Sequence, residues 1–402
     1  MKTPPPHCRV CQSSSTELIL DLGSQPPANG YEDAHSYPLT LWCCQSCGLV
    51  QIAETLPREK LFSNYVWVTG TSSSACQFSR TFRDIAVRKA GLQPGCKVVE
   101  IASNDGTFLK PFADIGCQCL GIDPAENLAV MARQQGLEIW TDFWEAATAK
   151  RLSGSVGRVD FLFARNVIAH ASDLQGFAAG LEIALRDGGL GAVEFHWAKH
   201  ILHGLQYDSI YHEHLCYFSL ATVARLLEDH GLTVVSVEES PISGGALIVY
   251  FSKSGTPDES VARYRGIEQA AGLANVDTWK AFGQACIRHA EACRKLLVDP
   301  ALQPMIGYGA SARSNTFLNF VGATPEHLSC IIDNNPAKQG RLAPGSGIPI
   351  VSESEGLASH PKTILCLAWN FQAELLARCQ AAGFRGGWLT AFPDEPHYRN
   401  LP

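Results

Sequence analysis

Four cysteines near the start of the chain are spaced like metal ligands. They form two Cys-x-x-Cys pairs, Cys8 with Cys11 and Cys44 with Cys47. Two thiolates three positions apart can bind one tetrahedral metal ion, and two such pairs complete its four-ligand shell. An all-sulfur shell suits Zn²⁺ and leaves no open position for water, so we expect a structural site that stabilises a small module. Disulfides, free thiols and an iron–sulfur or redox site are the alternatives.

A second reactive group occupies residues 208–214. It contains Tyr211, two histidines (His212 and His214) and two carboxylates (Asp208 and Glu213) within seven positions. This density of titratable side chains next to an aromatic stretch favours acid–base catalysis. A His-x-His metal site, a surface cap and a buried hydrogen-bonded cluster are the alternatives.

The elements that must position these groups alternate between strand and helix. Apolar runs predict strands over residues 97–101, 119–123, 160–164 and 190–195, with a break at residues 187–189 before the last of them. Helices are expected over residues 76–92, 108–114, 127–136 and 174–185. This alternation predicts a parallel, doubly wound α/β sheet of Rossmann-like type.

A cofactor loop follows the first strand of that sheet, over residues 100–106. Nucleotide-like ligands bind beyond the carboxyl ends of parallel strands, and Asp123 ends the neighbouring strand, where its carboxylate could accept both ribose hydroxyls of an adenosine. The loop contains Gly106 as its only glycine, whereas nicotinamide dinucleotides need a glycine-rich phosphate turn. We therefore favour S-adenosylmethionine, which has no phosphate. A helix-capping role for Asp123 is the alternative.

A histidine also closes the third strand, at the sheet edge shared by Asp105 and Asp123. His170 follows Asn166 by four residues. Histidines at such positions serve structural or functional roles, and the sequence leaves both open.

The length of the chain predicts more than one domain. It has 402 residues, and typical domains contain about 100–200 residues. We expect a zinc module (1–75), a methyltransferase domain (76–255) and a smaller Rossmann-like C-terminal domain (256–402). The last would begin with one or two helices over residues 258–299, followed by strands at residues 305–308, 330–333, 363–367 and 387–390.

Composition excludes several classes of protein. The net charge is −7 without a long run of Lys or Arg, so no nucleic-acid or anionic-membrane partner is expected. No uninterrupted apolar run reaches the ~18 residues of a transmembrane helix, and the first residues lack the pattern of a signal peptide. We expect a cytoplasmic enzyme of small molecules, either a monomer or a small homo-oligomer.

Taken together, these motifs resemble one family, the NDP-sugar C-methyltransferases that make branched deoxysugars. The resemblance covers nearly the whole chain and includes the four cysteines, the cofactor loop and the Tyr211-to-His214 block. It continues through Gly244-Gly245 and through two C-terminal segments, residues 308–316 and 333–340.

The resemblance implies a reaction and a set of roles. A base removes the acidic proton beside a 4-keto group, at C3, and the enolate carbon attacks the sulfonium methyl of S-adenosylmethionine. His214 would be the base, Glu213 would hold the sugar or orient the imidazole, and Tyr211 and His170 would bind the substrate and the oxyanion. Tyr65 matches an aromatic lid residue, although Trp67 is the alternative.

The resemblance also predicts the binding residues. The cofactor would contact Glu100, Ala102, Ser103, Asn104, Asp105, Asp123, Pro124, Phe143 and Asn166. The nucleotide and its phosphates would contact Arg313, Asn315 and Lys338.

Five positions depart from the family pattern. Ala102 replaces the usual glycine of the loop, and Arg313 replaces the usual lysine. The histidine and serine that flank Gly244-Gly245 are missing, and Ile248 stands in place of an arginine. These changes bear on the identity of the sugar, its nucleotide and the methylated carbon.

Three rival functions can be compared with this one. A dinucleotide-dependent oxidoreductase or epimerase requires a glycine-rich phosphate turn, and residues 307–312 approach one without its final glycine. A non-catalytic zinc-module protein would not need the acid–base block. An O-methyltransferase could use the same histidine as its base.

Overall fold

Three β-sheets arranged along the chain form the framework of the protein. The computed structural model describes residues 4–31, 35–63, 65, 67–242 and 245–401. Ser243 and Gly244, which belong to one of the motifs above, lie outside the described residues. The domain limits given above remain predictions.

The zinc module contains a four-stranded antiparallel sheet. Its own strands are β1 (Thr16–Gln25), β2 (Tyr37–Cys44) and β3 (Val50–Ile52). The fourth strand, β9 (Cys216–Tyr217), comes from the segment that follows the acid–base block, and it pairs with β3 through Val50–Tyr217 and Gln51–Cys216. A short helix, α1 (Arg58–Phe62), follows the module.

The methyltransferase domain is built on a seven-stranded sheet with the order β10-β11-β8-β7-β4-β5-β6. Its strands are β4 (Lys97–Ile101), β5 (Gln118–Ile122), β6 (Glu138–Trp140), β7 (Val159–Arg165), β8 (Leu185–His196), β10 (Thr233–Ser240) and β11 (Ala246–Ser252). Its helices are α2 (Ser73–Ala90), α3 (Lys110–Asp114), α4 (Glu126–Gln134), α5 (Ala146–Val156), α6 (Leu174–Ala184), α7 (Ala198–His203) and α8 (Leu220–Glu228).

The order of the strands creates the binding edge of this sheet. The chain runs outward from β4 to β5 and β6, then returns to the other side of β4 with β7 and β8. Ligands of open α/β sheets bind where the order reverses, outside the carboxyl ends of the strands. The sheet is not wholly parallel, because β11 lies antiparallel between β8 and β10.

One predicted break is wrong. Residues 187–189 do not separate a helix from a strand but lie inside β8, which begins directly after α6. Gly188 has φ of +72°, and the pairing of β8 with β7 is irregular between Val159 and Phe161. The glycines therefore form a bulge in the strand rather than a loop.

Aromatic packing supports the strands that carry the site. Phe82 of α2 packs against Phe161 and Phe163 of β7 and against Phe112 of α3, with ring centroids 5.2–6.2 Å apart. All four side chains are buried. This cluster packs α2 and α3 against β7, the strand that leads to Asn166.

The C-terminal domain contains a six-stranded sheet with the order β14-β13-β12-β15-β16-β17. Its strands are β12 (Met305–Tyr308), β13 (Ile331–Ile332), β14 (Ile350–Val351), β15 (Thr363–Cys366), β16 (Gly387–Thr390) and β17 (His397–Asn400), the last of them antiparallel. Its helices are α9 (Glu259–Ala271), α10 (Val276–Leu297), α11 (Ala312–Val321), α12 (Glu353–Ala358) and α13 (Gln372–Ala381). The second Rossmann-like unit is therefore present, with α9 and α10 as the two linking helices.

Within the described residues, every helix is too short or too polar to span a membrane.

Candidate active site and metal centre

The four predicted cysteines meet in one cluster. Their Sγ atoms all lie within 4.8 Å of one another, with 3.5 Å between Cys8 and Cys47 and 3.5 Å between Cys11 and Cys44. Zinc–sulfur bonds of about 2.3 Å in a tetrahedron put the sulfurs about 3.8 Å apart, so the four side chains fit Zn²⁺. Among the described residues this is the one cluster of metal-ligand side chains, and it does not include His212 and His214.

A buried glutamine connects the metal cluster to the segment that follows the acid–base block. Gln51, on β3, accepts a hydrogen bond from the Arg9 amide and donates one to the His7 carbonyl, both at 2.9 Å. These two residues flank Cys8, and the strand that carries Gln51 pairs with β9. The zinc module therefore reaches within two residues of His214.

One large cavity collects most of the predicted site residues. It measures about 750 Å³ and lies at the carboxyl ends of β4, β5, β7 and β8. Twelve predicted side chains or loop residues line it: Tyr65, Glu100, Ala102, Ser103, Asn104, Asp123, Pro124, Phe143, Asn166, His170, His214 and Arg313. Five predicted residues do not line it: Asp105, Tyr211, Glu213, Asn315 and Lys338.

The cofactor loop adopts an unusual backbone. Ala102, Asn104 and Gly106 have φ values of +54°, +52° and +83°. Such left-handed conformations are costly for residues with a Cβ, although asparagine tolerates them better than alanine does. The sequence departure at Ala102 therefore falls at a position where the backbone itself favours glycine.

Asp123 is shaped to receive a pair of hydroxyl groups. Its carboxylate accepts the amides of Asn104 and Ala125, at 2.7 Å and 2.8 Å, and its side chain is buried at the cavity wall. A carboxylate has about four acceptor positions, so two remain for the ribose of an adenosine. Burial raises the pKa of Asp123, and the two amides oppose this rise.

Asp105 does not line the cavity but stabilises the cofactor loop. Its carboxylate accepts hydrogen bonds from the Gly70 amide at 2.9 Å and the Thr107 hydroxyl at 2.7 Å. It thereby ties the cofactor loop to the segment before α2.

A stacked pair of one cationic and one aromatic side chain also lines the cavity. The guanidinium of Arg58 stacks on the ring of Phe143, 4.3 Å from its centroid, and pairs with Glu145 at 3.2 Å. Arg58 was not predicted as a site residue, because nothing in its local sequence connects it with the sheet edge.

His214 is held as a neutral imidazole of defined tautomer. Its Nδ1 lies 3.2 Å from the Ser209 carbonyl, and its Nε2 lies 2.9 Å from the Tyr211 hydroxyl. Because a carbonyl oxygen only accepts, Nδ1 carries the proton and Nε2 carries the lone pair. Burial, reinforced by His170, lowers the pKa of His214 well below its usual range. The side chain is therefore an uncharged base at neutral pH.

His170 packs beside His214 at the cavity wall. The two ring centroids are 5.0 Å apart, and Nδ1 of His170 donates to the Glu213 carbonyl at 2.5 Å. Burial lowers the pKa of His170 as well. Two neutral imidazoles therefore line the same wall.

Glu213 occupies a smaller neighbouring cavity of about 130 Å³, which shares Tyr65 with the large one. Its carboxyl group accepts a hydrogen bond from the Asn29 side chain at 2.8 Å, and burial raises its pKa to about 7. The His214 imidazole is instead held by Ser209 and Tyr211. The geometry thus does not favour an imidazole-orienting role for Glu213.

The predicted nucleotide residues are only partly brought together. Arg313 lines the large cavity, whereas Asn315 is buried and donates to the Ala28 carbonyl at 2.8 Å. Lys338 binds the Ala310 carbonyl and the Asp333 carboxylate, at 2.9 Å and 3.2 Å. The Lys338 ammonium and the Asn315 side-chain nitrogen are therefore bound within the protein, whereas Oδ1 of Asn315 is buried without a hydrogen-bond partner among the described residues.

Two other departures are located by the structure. Ile248 is buried in the apolar core on β11 and does not line the cavity. Ile242 lines the cavity directly before the two residues that lie outside the described chain. The missing arginine at position 248 thus leaves no gap in the cavity wall.

His196 is a cavity residue that sequence reasoning missed. It ends β8, and its Nε2 is buried without a hydrogen-bond partner among the described residues. Burial, with Arg313 next, lowers the pKa of His196 to about 3. His196 could have been predicted in the same way as His170, because polar residues at the ends of these strands face the site.

Three family models match consecutive segments of the chain. They describe a zinc binding domain over residues 8–62, a methyltransferase domain over residues 76–237 and a C-methyltransferase C-terminal domain over residues 241–393. Their order reproduces the three sheets described above.

Relatives narrow the class further. The C-methyltransferase NovU of Streptomyces niveus is 31% identical over 92% of this chain and 91% of its own length. The chain therefore belongs to the zinc-module C-methyltransferases, and it binds S-adenosylmethionine and zinc.

More distant matches cover only part of the chain. A ubiquinone biosynthesis O-methyltransferase of Methylobacterium sp. is 28% identical over 27% of this chain and 47% of its own length. The structure of magnesium protoporphyrin IX methyltransferase from Synechocystis PCC 6803 matches 49% of this chain and 92% of that one, with 14% identity and a TM-score of 0.37.

Proposed function

We propose that this C-methyltransferase acts on a nucleotide-linked 4-keto-deoxysugar and adds the methyl group at C3. The observation that carries the proposal is that a neutral His214, with its lone pair on Nε2, lines the same cavity as Asp123. The cavity volume of about 750 Å³ lies within the range of small-molecule sites and has room for cofactor and sugar side by side.

His214 acts as the base in this proposal. It accepts the proton from the carbon beside the ketone, while the electron pair of that C–H bond forms the enolate. The Tyr211 hydroxyl occupies the same lone pair when no substrate is bound. Substrate entry exchanges that hydrogen bond for the C–H group.

For the methyl donor, the protein needs only to align the cofactor with the substrate. When bound, S-adenosylmethionine supplies a methyl group already activated by its sulfonium charge. Asp123 and the loop around Ser103 hold the adenosine. The imidazoles of His170 and His214, which line the same cavity, exclude water. Alignment of this kind accounts for a large part of the rate of a transfer between two bound groups.

The test is mass spectrometry with purified enzyme. Methyl-labelled cofactor is incubated with a panel of NDP-4-keto-6-deoxysugars, and the product is analysed for label on carbon. We expect label at C3 of one panel member, and label on oxygen or on no panel member would contradict the proposal.

A second measurement separates C- from O-methylation. A C-methyltransferase should introduce deuterium from D₂O into the keto-sugar in the absence of cofactor, because His214 deprotonates carbon on its own. An O-methyltransferase acting on a hydroxyl should not.

A further inference from the structure

Arg313 is a residue of the C-terminal domain that lines the large cavity. It belongs to α11, and its guanidinium makes a two-pronged pair with Asp208 of the methyltransferase domain, with both N–O distances 3.0 Å. Asp208 has a buried side chain, whereas Arg313 is 21% exposed toward the cavity. The pair therefore crosses between two domains at the cavity wall.

Trp369 and Gln206 also fix the orientation of the Arg313 guanidinium. Trp369 donates to Asp208 at 2.9 Å and lies under the guanidinium, with its ring centroid 4.6 Å from the Arg313 Cζ. Gln206 accepts a third hydrogen bond from Nη2 at 3.3 Å. The Nη1 group has no hydrogen-bond partner among the described residues, so its two N–H groups are the ones available to a ligand.

The anchors of Arg313 and His214 are neighbours in sequence. Asp208 holds the guanidinium, and the carbonyl of Ser209, the next residue, holds the imidazole. Their Cα atoms are about 3.8 Å apart across one peptide bond. Both belong to one 3₁₀ turn (Tyr207–Ser209) that is entirely buried. One rigid turn therefore positions both the base and a cationic donor.

This placement suits an oxyanion better than a diphosphate. A diphosphate is best bound by uncompensated positive charge, but the charge of Arg313 is balanced by Asp208. A developing enolate oxygen instead needs fixed, directional donors beside the base. The electrostatic influence of Arg313 also reaches the base, since it adds to burial in lowering the pKa of His214.

We propose that Asp208 orients Arg313 so that its Nη1 group binds the keto oxygen of the substrate and stabilises the enolate. This inference rests on the proposed function. As the C–H bond breaks, its proton passes to Nε2 of His214 and its electron pair forms the carbon–carbon double bond. The carbonyl π pair moves to oxygen, whose negative charge faces Arg313. Arg313 is then a catalytic residue, and Asp208 is a positioning residue.

The experiment measures cofactor-free deuterium exchange on the NDP-sugar that the wild-type enzyme methylates. Binding of the matching nucleoside diphosphate, without sugar, is measured in parallel. The variants are Arg313→Gln, Arg313→Lys and Asp208→Asn, and Arg378→Gln is the control, because it removes a half-exposed pair with Glu353 far along the same domain. Thermal unfolding confirms that each variant is folded.

We expect Arg313→Gln to lower kcat for exchange about 100-fold, the usual loss for an oxyanion donor. Diphosphate affinity should stay near the wild-type value. Asp208→Asn should show the same loss of kcat, and added guanidinium ion should partly restore exchange in Arg313→Gln.

Two outcomes would overturn the inference. A tenfold or greater loss of diphosphate affinity with unchanged kcat would make Arg313 a phosphate ligand, and wild-type kinetics in all variants would make the pair a structural clamp. Absence of exchange in the wild-type enzyme would instead overturn the proposed function, so the two failures are distinguishable.

Discussion

The Tyr211 hydroxyl lies 2.9 Å from Nε2 of His214. This nitrogen is unprotonated, because the ring proton lies on Nδ1, where it is donated to the Ser209 carbonyl. The tautomer needed for deprotonation of carbon is therefore built into the protein. A tyrosine donor and a substrate C–H group would use the same lone pair.

Loss of the imidazole should abolish chemistry without affecting cofactor affinity. We expect His214→Ala to lose both deuterium exchange and methylation, while S-adenosylhomocysteine binds as in the wild type in calorimetry. His203→Asn, an exposed histidine of α7, is the control and should keep full activity. Normal turnover by His214→Ala would remove this residue from the base role.

The exchange reaction should be insensitive to pH near neutrality. Because the pKa of His214 lies well below its usual range, the imidazole stays unprotonated until the solution is acidic. The rate of exchange should therefore be flat above pH ~6.5, the ordinary histidine value, and fall only below it. A rate that rises tenfold per pH unit through neutrality would indicate a different base.

Glu213 should make the folded protein less stable as pH rises. Burial raises its pKa from 4.5 to about 7, so the folded state holds a proton that the unfolded state has lost between these values. The contribution of Glu213 to the free energy of unfolding is therefore most favourable below pH 4.5. It decreases between pH 4.5 and pH 7 and is least favourable above pH 7. The full penalty is about 3 kcal/mol.

The variant Glu213→Gln tests this directly. The amide keeps an acceptor for Asn29 but has no charge to bury, so it should raise the melting temperature at pH 8 relative to wild type and have little effect at pH 5. An equal shift at both pH values would contradict the pKa argument.

Metal removal should affect catalysis more than cofactor binding. The cysteine cluster supports β3, and β3 pairs with β9 directly after the acid–base block. We expect chelation, or Cys44→Ser, to lower exchange and thermal stability while cofactor affinity changes less. Cys43→Ser is the control, because Cys43 is buried beside the cluster but is not part of it. Metal content is checked by mass spectrometry, and full activity of metal-free enzyme would disprove this coupling.

The cofactor loop offers a stabilising substitution. At φ of +54° Ala102 bears a steric cost that glycine avoids, so Ala102→Gly should stabilise the protein by about 1 kcal/mol. The control Ala262→Gly, on the exposed side of α9, should destabilise it by a similar amount, about 1 kcal/mol. Urea unfolding of both variants gives the comparison, and loss of stability in Ala102→Gly would show that the alanine methyl makes a needed contact.

Several features could be predicted because they depend on neighbours along the chain. The spacing of the cysteines is enough to bring two thiolates to one metal, and the alternation of apolar runs locates β4, β5 and β7 with Asp123 and Asn166 at their ends. The same local patterns favoured the type of cofactor, since a loop with one glycine lacks the glycine-rich turn that dinucleotides need for their diphosphate.

Other features depended on contacts between distant segments. The pairing of β9 with β3, the entry of Arg313 into the cavity and the binding of Lys338 to the Ala310 carbonyl each join residues that local patterns do not relate. Local spacing determined which chemistry the chain carries, because short-range geometry sets ligands and strand ends. Only packing decided which of those groups face one cavity, because that depends on how three sheets bury their apolar faces against one another.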